Sequence, residues 1–242
     1  MKKILPLLCL LALLQAKPKM AIVVDDCGYS PESVKTFTAI KYPLTMAVIP
    51  GLAYSKSCAE TISAAKKQLL IHFPWTPLGN NGRQSYPIRI ERSYTPARIT
   101  AMLVKAAESV PNANGINNHQ GSILSADSVM MDRVMSVVQV SGQKYYFLDS
   151  NTTVNSKAER TAKKHGIPST HNDVFLDGTQ TDEYIEKRFA YAVSLAKQRG
   201  TVVAICHDRP ATRRVLRKLM IQYNDQVDFV FLPEIMANRN KH

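Results

Sequence analysis

Short apolar runs alternate with helix-length amphipathic stretches along almost the whole of this 242-residue chain, and that rhythm restricts the fold more than any other feature. The runs are "MAIVV" (20–24), "TMAVI" (45–49), "LLIHF" (69–73), "GINNH" (115–119), "YYFLD" (145–149), "HNDVFL" (171–176), "VVAIC" (202–206) and "DFVFL" (228–232). The stretches between them carry helix punctuation. One opens near Pro31, and another has Thr95 as N-cap with Pro96 at the first helical position. Asn155 precedes "SKAERTAKKH", stopped by Gly166, and Thr181 precedes "DEYIEKRFAYAVSLAKQR", stopped by Gly200. Strands followed by helices at this spacing make βαβ units and a mostly parallel sheet. Seven or eight such units in about 220 residues predict a distorted (β/α) barrel rather than an open sheet, and no linker marks a second domain.

The opening "MKKILPLLCLLALLQA", residues 1–16, has two lysines, a short apolar run and a small residue at its end. That layout is a signal peptide, too short for an ordinary membrane span. It predicts export to the periplasm or beyond the cell, with residues 17–242 as one barrel domain; an uncleaved N-terminal membrane anchor is the alternative. The chain holds 31 Lys and Arg against 19 Asp and Glu, so losing Lys2 and Lys3 with the leader leaves a net charge of +10. Such a balance favours an anionic cell wall or membrane surface as a neighbour. The basic residues are dispersed, clustering only at Lys66-Lys67, Lys163-Lys164 and residues 213–218. With no aromatic-interleaved basic stripe or recognition helix, the pattern argues against nucleic acid. Three cysteines outside the leader, Cys27, Cys58 and Cys206, do not make a disulfide framework.

Function is carried by the polar residues that end the strands. Asp25 and Asp26 end the first, His72 lies near the end of the third, and His119 closes the fourth. Asp149 and Ser150 close the fifth; His207 and Asp208 close the seventh. A parallel barrel gathers these ends on one face. Taken singly, each has a structural explanation: a satisfied histidine, a helix cap, a solvated turn at Gly28. Taken together, several strands spend a costly terminus on one face, and a bound cation is the common reason. One carboxylate and two neutral imidazoles are a standard set for Zn²⁺ or a related divalent ion, and Asp26, His72 and His119 are the candidates. A cation also offsets the repulsion of two adjacent carboxylates, of which one ligates and the other faces the reacting water. Residues 74–94 form a long segment without a clear helix, which a barrel places on that same face.

The blocks "IVVDDCGYS", "IHFPWTP", "GINNHQGS", "YFLDSNTT" and "NDVFLD", in this order, resemble the divergent polysaccharide deacetylases over nearly all the chain beyond the leader. The resemblance implies a distorted (β/α) barrel and metal-dependent removal of N-acetyl (or O-acetyl) groups from a polysaccharide or glycan of the cell envelope or its surroundings. It gives Asp25 the role of base and Asp26 that of metal ligand. "VVAICHD" is similar to the family's last motif and gives His207 the role of acid. The related polysaccharide deacetylases draw two histidines from one loop, whereas His72 has no second histidine near it in sequence. His119 is taken as its replacement from its strand-end position. A Glu expected after "HFP" is absent, Asn151 stands where an Arg is common, and the usual Gly-His-Pro ending is altered around Cys206–Pro210.

The expected cofactor is Zn²⁺, with Co²⁺, Mn²⁺ or Ni²⁺ as alternatives. Asp149 or Asp208 is expected to orient a histidine, Asn118 and Ser150 to support the site or the substrate, and Trp75 with Tyr86 to offer a platform for a sugar ring. Two other functions compete. One is a non-catalytic periplasmic glycan-binding or wall-associated protein on a degenerate deacetylase fold, against which an intact Asp25 and His207 argue. The other is a metal phosphoesterase, for which the sequence lacks a Gly-rich phosphate cradle.

Overall fold

Lys19–Cys27 forms β1, and the rest of the sheet is laid out on either side of it. The computed structural model describes residues 16–77 and 86–239, so the leader up to residue 15 and the middle of the 74–94 segment lie outside the described residues. On one side of β1 follow β2 (Thr45–Val48), β3 (Gln68–Trp75), β4 (Gly115–Gln120), β5 (Tyr146–Asp149) and β6 (Ser169–His171). On the other side lie β8 (Thr201–His207) and then β7 (Val174–Phe175), while β9 (Asp228–Phe229) pairs with the start of β1. Every pairing is parallel, and the sheet curls into the expected distorted barrel.

Two runs depart from expectation: 228–232 is a strand only over Asp228–Phe229, with Leu232 opening the last helix, and 171–176 is divided between two short strands. Asn172 N–H donates to the Asp149 carbonyl at 2.9 Å, and the next residue, Asp173, donates to the Val203 carbonyl at 3.0 Å. Within one peptide unit the chain therefore leaves the β5 side and joins the β8 side. This is where the barrel would otherwise gape. Arg239 straddles the seam: it donates to Thr170 Oγ1 at 2.8 Å and pairs with the Asp173 carboxylate.

Continuous apolar strands are what a sheet covered on both faces requires. Residues alternate in direction, so Met20, Ile22 and Val24 face the surrounding helices while Ala21 and Val23 face inward. The inward set joins Ala47, Leu70, Leu148, Val203 and Ile205, and is closed by Ile235 and Met236 of the last helix, α9 (Leu232–Arg239). The outer helices are α1 (Pro31–Thr38), α2 (Ser55–Ala64), α3 (Pro96–Ser109), α4 (Ser122–Ala126), α5 (Ser128–Val140), α6 (Ala158–Lys164), α7 (Asp182–Arg199) and α8 (Pro210–Tyr223).

Thr95 and Thr181 cap α3 and α7 as expected, accepting from Arg98 N–H and Tyr184 N–H at 3.3 Å each, and Gly200 ends α7 with φ +79°. Asn155 does not cap α6. That helix starts later, after Lys157, and its free amides are met from a strand end: Asp149 Oδ2 accepts from Glu159 N–H at 3.3 Å and from Ser156 Oγ at 2.6 Å. The three cysteines are buried free thiols.

Candidate metal centre

Strand alternation should send Asp25 and Asp26 to opposite faces. It does not, because the β1–β2 register shifts between Val24 and Cys27 and Asp26 takes a left-handed backbone, φ +63°. Both carboxylates then reach the C-terminal mouth of the barrel. His72 of β3 lies beside Asn117 of β4 in the parallel register, and His119, two residues on, shares their face. Gln120 (φ +58°) and Gly121 (φ +83°) end the strand just beyond.

Three electron-rich atoms meet as a result. Asp26 Oδ1 lies 3.3 Å from His72 Nε2 and 3.1 Å from His119 Nδ1, and the two nitrogens are 3.0 Å apart. Donors each ~2.0–2.1 Å from a tetrahedral ion are expected ~3.3 Å from one another. Asp26 Oδ1 is buried and accepts no hydrogen bond among the described residues, despite these close approaches. A buried carboxylate oxygen without a partner is costly. A triangle of lone pairs at ligand spacing around an orphaned oxygen fits a small divalent cation.

The surroundings fix the orientation of His72. Asn117, fully buried, donates from Nδ2 to Asp25 Oδ1 at 2.9 Å and to Ser150 Oγ at 3.2 Å. Its Oδ1 is left to accept from His72 Nδ1 at 2.9 Å, so the His72 Nε2 lone pair faces Asp26. Burial pushes the Asp26 carboxyl up, but the two imidazoles more than reverse this and hold it far below the ordinary range. His72 is lowered by burial and raised by the charges of Asp25 and Asp26, with a net rise. Burial pushes His119 down, aided by the charge of His72. The cluster thus draws in positive charge.

Asp25 Oδ2 is 3.7 Å from His72 Nε2, and the residue is 1% exposed. Burial raises its pKa in spite of His72, His207 and the amide of Asn117. Its register partner across β1 and β8 is His207. Asp177, completely buried, accepts from His207 Nδ1 at 2.7 Å, from His207 N–H at 2.9 Å and from Thr212 Oγ1 at 2.8 Å. His207 is lowered by burial, yet Asp177 outweighs that and the net shift is upward.

Several expected supporting residues do something else. Neither Asp149 nor Asp208 orients a histidine: Asp149 serves α6, and Asp208 is held by Ser33 Oγ and Arg213. The orienting carboxylate is Asp177, which the strand-end rule would have found at the end of "NDVFLD". Asn118 braces backbone, donating to the Gln120 carbonyl at 2.8 Å and accepting from Ser150 N–H at 2.9 Å. Ser150 joins the site through Asn117, which was not among the sequence candidates. Trp75 is not a sugar platform, because it is 2% exposed and stacks on Phe147 at 5.9 Å in the core. Tyr86 takes the place beside the centre, with its ring edge-on to His119 at 5.0 Å and its hydroxyl 3.4 Å from that of Tyr29.

Comparison with known proteins gives the same ancestry along the chain. The family model for divergent polysaccharide deacetylases matches residues 22–236. An uncharacterized protein of Escherichia coli K12, YibQ, is 33% identical over 212 residues, covering 88% of this chain and 65% of that protein. An uncharacterized protein of Haemophilus influenzae is 28% identical over 223 residues, covering 92% of this chain and 78% of its own. The chain therefore spans a little under two thirds of the length of the first of these relatives. The crystal structure of an uncharacterized protein from Agrobacterium tumefaciens C58 shares the fold, with a TM-score of 0.82 at 19% identity over 92% of this chain and 89% of that one.

Proposed function

The chain belongs to the divergent polysaccharide deacetylase family, and from that premise we propose that it is a metal-dependent hydrolase that removes acetyl groups from N-acetylated (or O-acetylated) sugars of an envelope or extracellular polysaccharide. The observation that carries the reading is the lone-pair triangle of Asp26, His72 and His119 with an acid–base pair beside it. A divalent cation held by those three residues, Zn²⁺ first among the candidates, would polarise an acetyl carbonyl and lower the pKa of water there. Asp25 accepts the proton of the attacking water. Its carboxyl, raised by burial, is a stronger base than an ordinary surface aspartate. Asn117 aims it by holding Oδ1, which leaves Oδ2 for the proton. His207, whose protonated form Asp177 favours, gives its proton to the departing amine as the carbon–nitrogen bond breaks, and acetate and a free amine result. Asp177 also fixes the tautomer, so the acidic N–H is at Nε2. The leader reading of residues 1–16 places this activity in the periplasm or outside the cell.

Acetate release is the test. Purified protein with its metal content measured is offered chitin oligomers, cell-wall glycan and acetylated xylan. Acetate is expected from at least one, Asp25→Asn is expected to abolish it with metal retained, and Asp26→Ala or His119→Ala is expected to remove stoichiometric metal. Metal-loaded protein that binds these polymers and releases no acetate would instead establish the non-catalytic glycan-binding role.

A further inference from the structure

Cations that are scattered in sequence are collected on one face by the topology. In a parallel barrel every strand N-terminus and helix C-terminus lies on the face opposite the strand ends that carry the site. Lys41 lies between α1 and β2, Lys66 between α2 and β3, and Lys144 between α5 and β5. Lys17 precedes β1, and Lys197 and Arg199 occupy the last turn of α7. All six are exposed, and none of the five lysines enters an ion pair among the described residues. Because the spatial order is β5-β4-β3-β2-β1-β8, these positions run round the rim of the face, with a gap only at β4. The exposed carboxylates on that side are few: Asp225 and Asp228 before and at β9, Glu108 in the last turn of α3, and Glu234 of α9, which pairs with Lys19 at 3.5 Å.

Complementing helix dipoles accounts for part of this, since Lys197 and Arg199 stand at a helix C-terminus. Lys17 also meets a helix end, donating to the carbonyl of Asn224, the C-cap of α8, at 3.2 Å; Lys41 and Lys144, which stand in connections, are not accounted for in this way. The geometry points to a second surface: the N-terminal face of the barrel rests on anionic phospholipid headgroups, with the candidate centre facing away from the bilayer. A rim of separated charges suits a flat sheet of anions better than a polymer lying in a groove. The chain enters the barrel on this same face, where Ala16, Lys17, Lys19 and Lys197 line one open recess. Continuity therefore brings the apolar run at residues 4–14 within a few residues of the cationic rim.

The full chain is the material for the test, because its apolar run will itself bind vesicles; the readout is the ratio of partitioning into anionic and into neutral vesicles. Vesicles of phosphatidylglycerol with phosphatidylcholine are compared with phosphatidylcholine alone. The anionic preference is expected to fall on the order of a hundredfold in Lys17→Gln/Lys144→Gln/Lys197→Gln, from a several-fold loss per lysine, and to fall steeply with added salt in the unaltered protein. Lys56→Gln/Arg98→Gln/Lys157→Gln, with the same charge loss on the opposite face, is expected to keep it. A ratio near one in the unaltered protein would overturn the proposal, as would equal losses in the two triple variants. Release by millimolar inorganic phosphate at constant ionic strength would do so too, by assigning the cations to a discrete anion pocket. None of these readouts depends on acetate release, so the surface stands or falls apart from the enzyme reading.

Discussion

Asn117→Ala tests whether the centre is organised as its geometry implies. The side chain makes three hydrogen bonds in a fully buried place: to Asp25 at 2.9 Å, to Ser150 at 3.2 Å and with His72 at 2.9 Å. Truncation leaves Asp25 Oδ1 and His72 Nδ1 without partners, while the Ser150 hydroxyl is free to rotate toward another. At about 2 kcal/mol for each stranded group, more for the charged one, the loss is about 4–5 kcal/mol. That is a large share of the ~5–15 kcal/mol by which domains are stable. The second effect is on the metal. The His72 ring loses the acceptor that sets its tautomer, and removing such a partner typically weakens metal binding ~10–100-fold. Stability is read by urea unfolding in the presence of chelator, so that bound metal does not add to it; zinc affinity is read by competition with a chromogenic chelator. Asn117→Asp separates the two effects. It keeps an acceptor for His72 and so keeps zinc affinity, but it sets a second carboxylate against Asp25 and still loses stability. If folded Asn117→Ala binds zinc within about twofold of the unaltered protein, far from the loss expected of such a partner, the assigned role of the His72–Asn117–Asp25 relay is wrong.

Asp177→Asn removes the charge that raises His207, so the limb of the activity profile lost on His207 deprotonation is expected to move to lower pH with metal content unchanged; an unmoved profile refutes the acid role. His171, raised by Asp173 and Glu159, is expected to titrate at about 9 by NMR. Because its folded pKa lies above the unfolded value of about 6.5, its stabilising charge is fully present below that value and is lost as pH rises through about 9. A midpoint near 6.5 refutes the pairing with both carboxylates. Trp75→Ala is expected to cost about 3–5 kcal/mol as a core truncation, while Trp75→Phe preserves the stack on Phe147 and leaves KM for oligosaccharides unchanged. A raised KM in that milder variant would restore Trp75 to the substrate surface.

Strand and helix order, the parallel sheet and the barrel class were legible in the chain because they follow from local periodicity and punctuation, which each segment carries alone. The strand-end histidines and the Asp25-Asp26 pair were legible for a related reason: parallel topology sends all those ends to one face whatever the packing details. The division of the 171–176 run was not legible. It depends on Asn172 and Asp173 bonding to different strands, and only the curl of the sheet brings β5 and β8 to either side of them. The supporting cast was hidden in the same way. Asp149, Asp177 and Asp208 all end strands or follow them at once, yet one caps a helix, one holds His207 and one is taken by Ser33 and Arg213. Composition and spacing treat them alike. Their roles differ because a hydrogen bond needs its partner within ~3 Å and in line, and the partners here come from segments up to 175 residues away. The sequence by itself determined which residues arrive at the mouth of the barrel; tertiary structure decided which of them touch, because contact at that range is set by strand register, a left-handed turn at Asp26 and the reach of individual side chains.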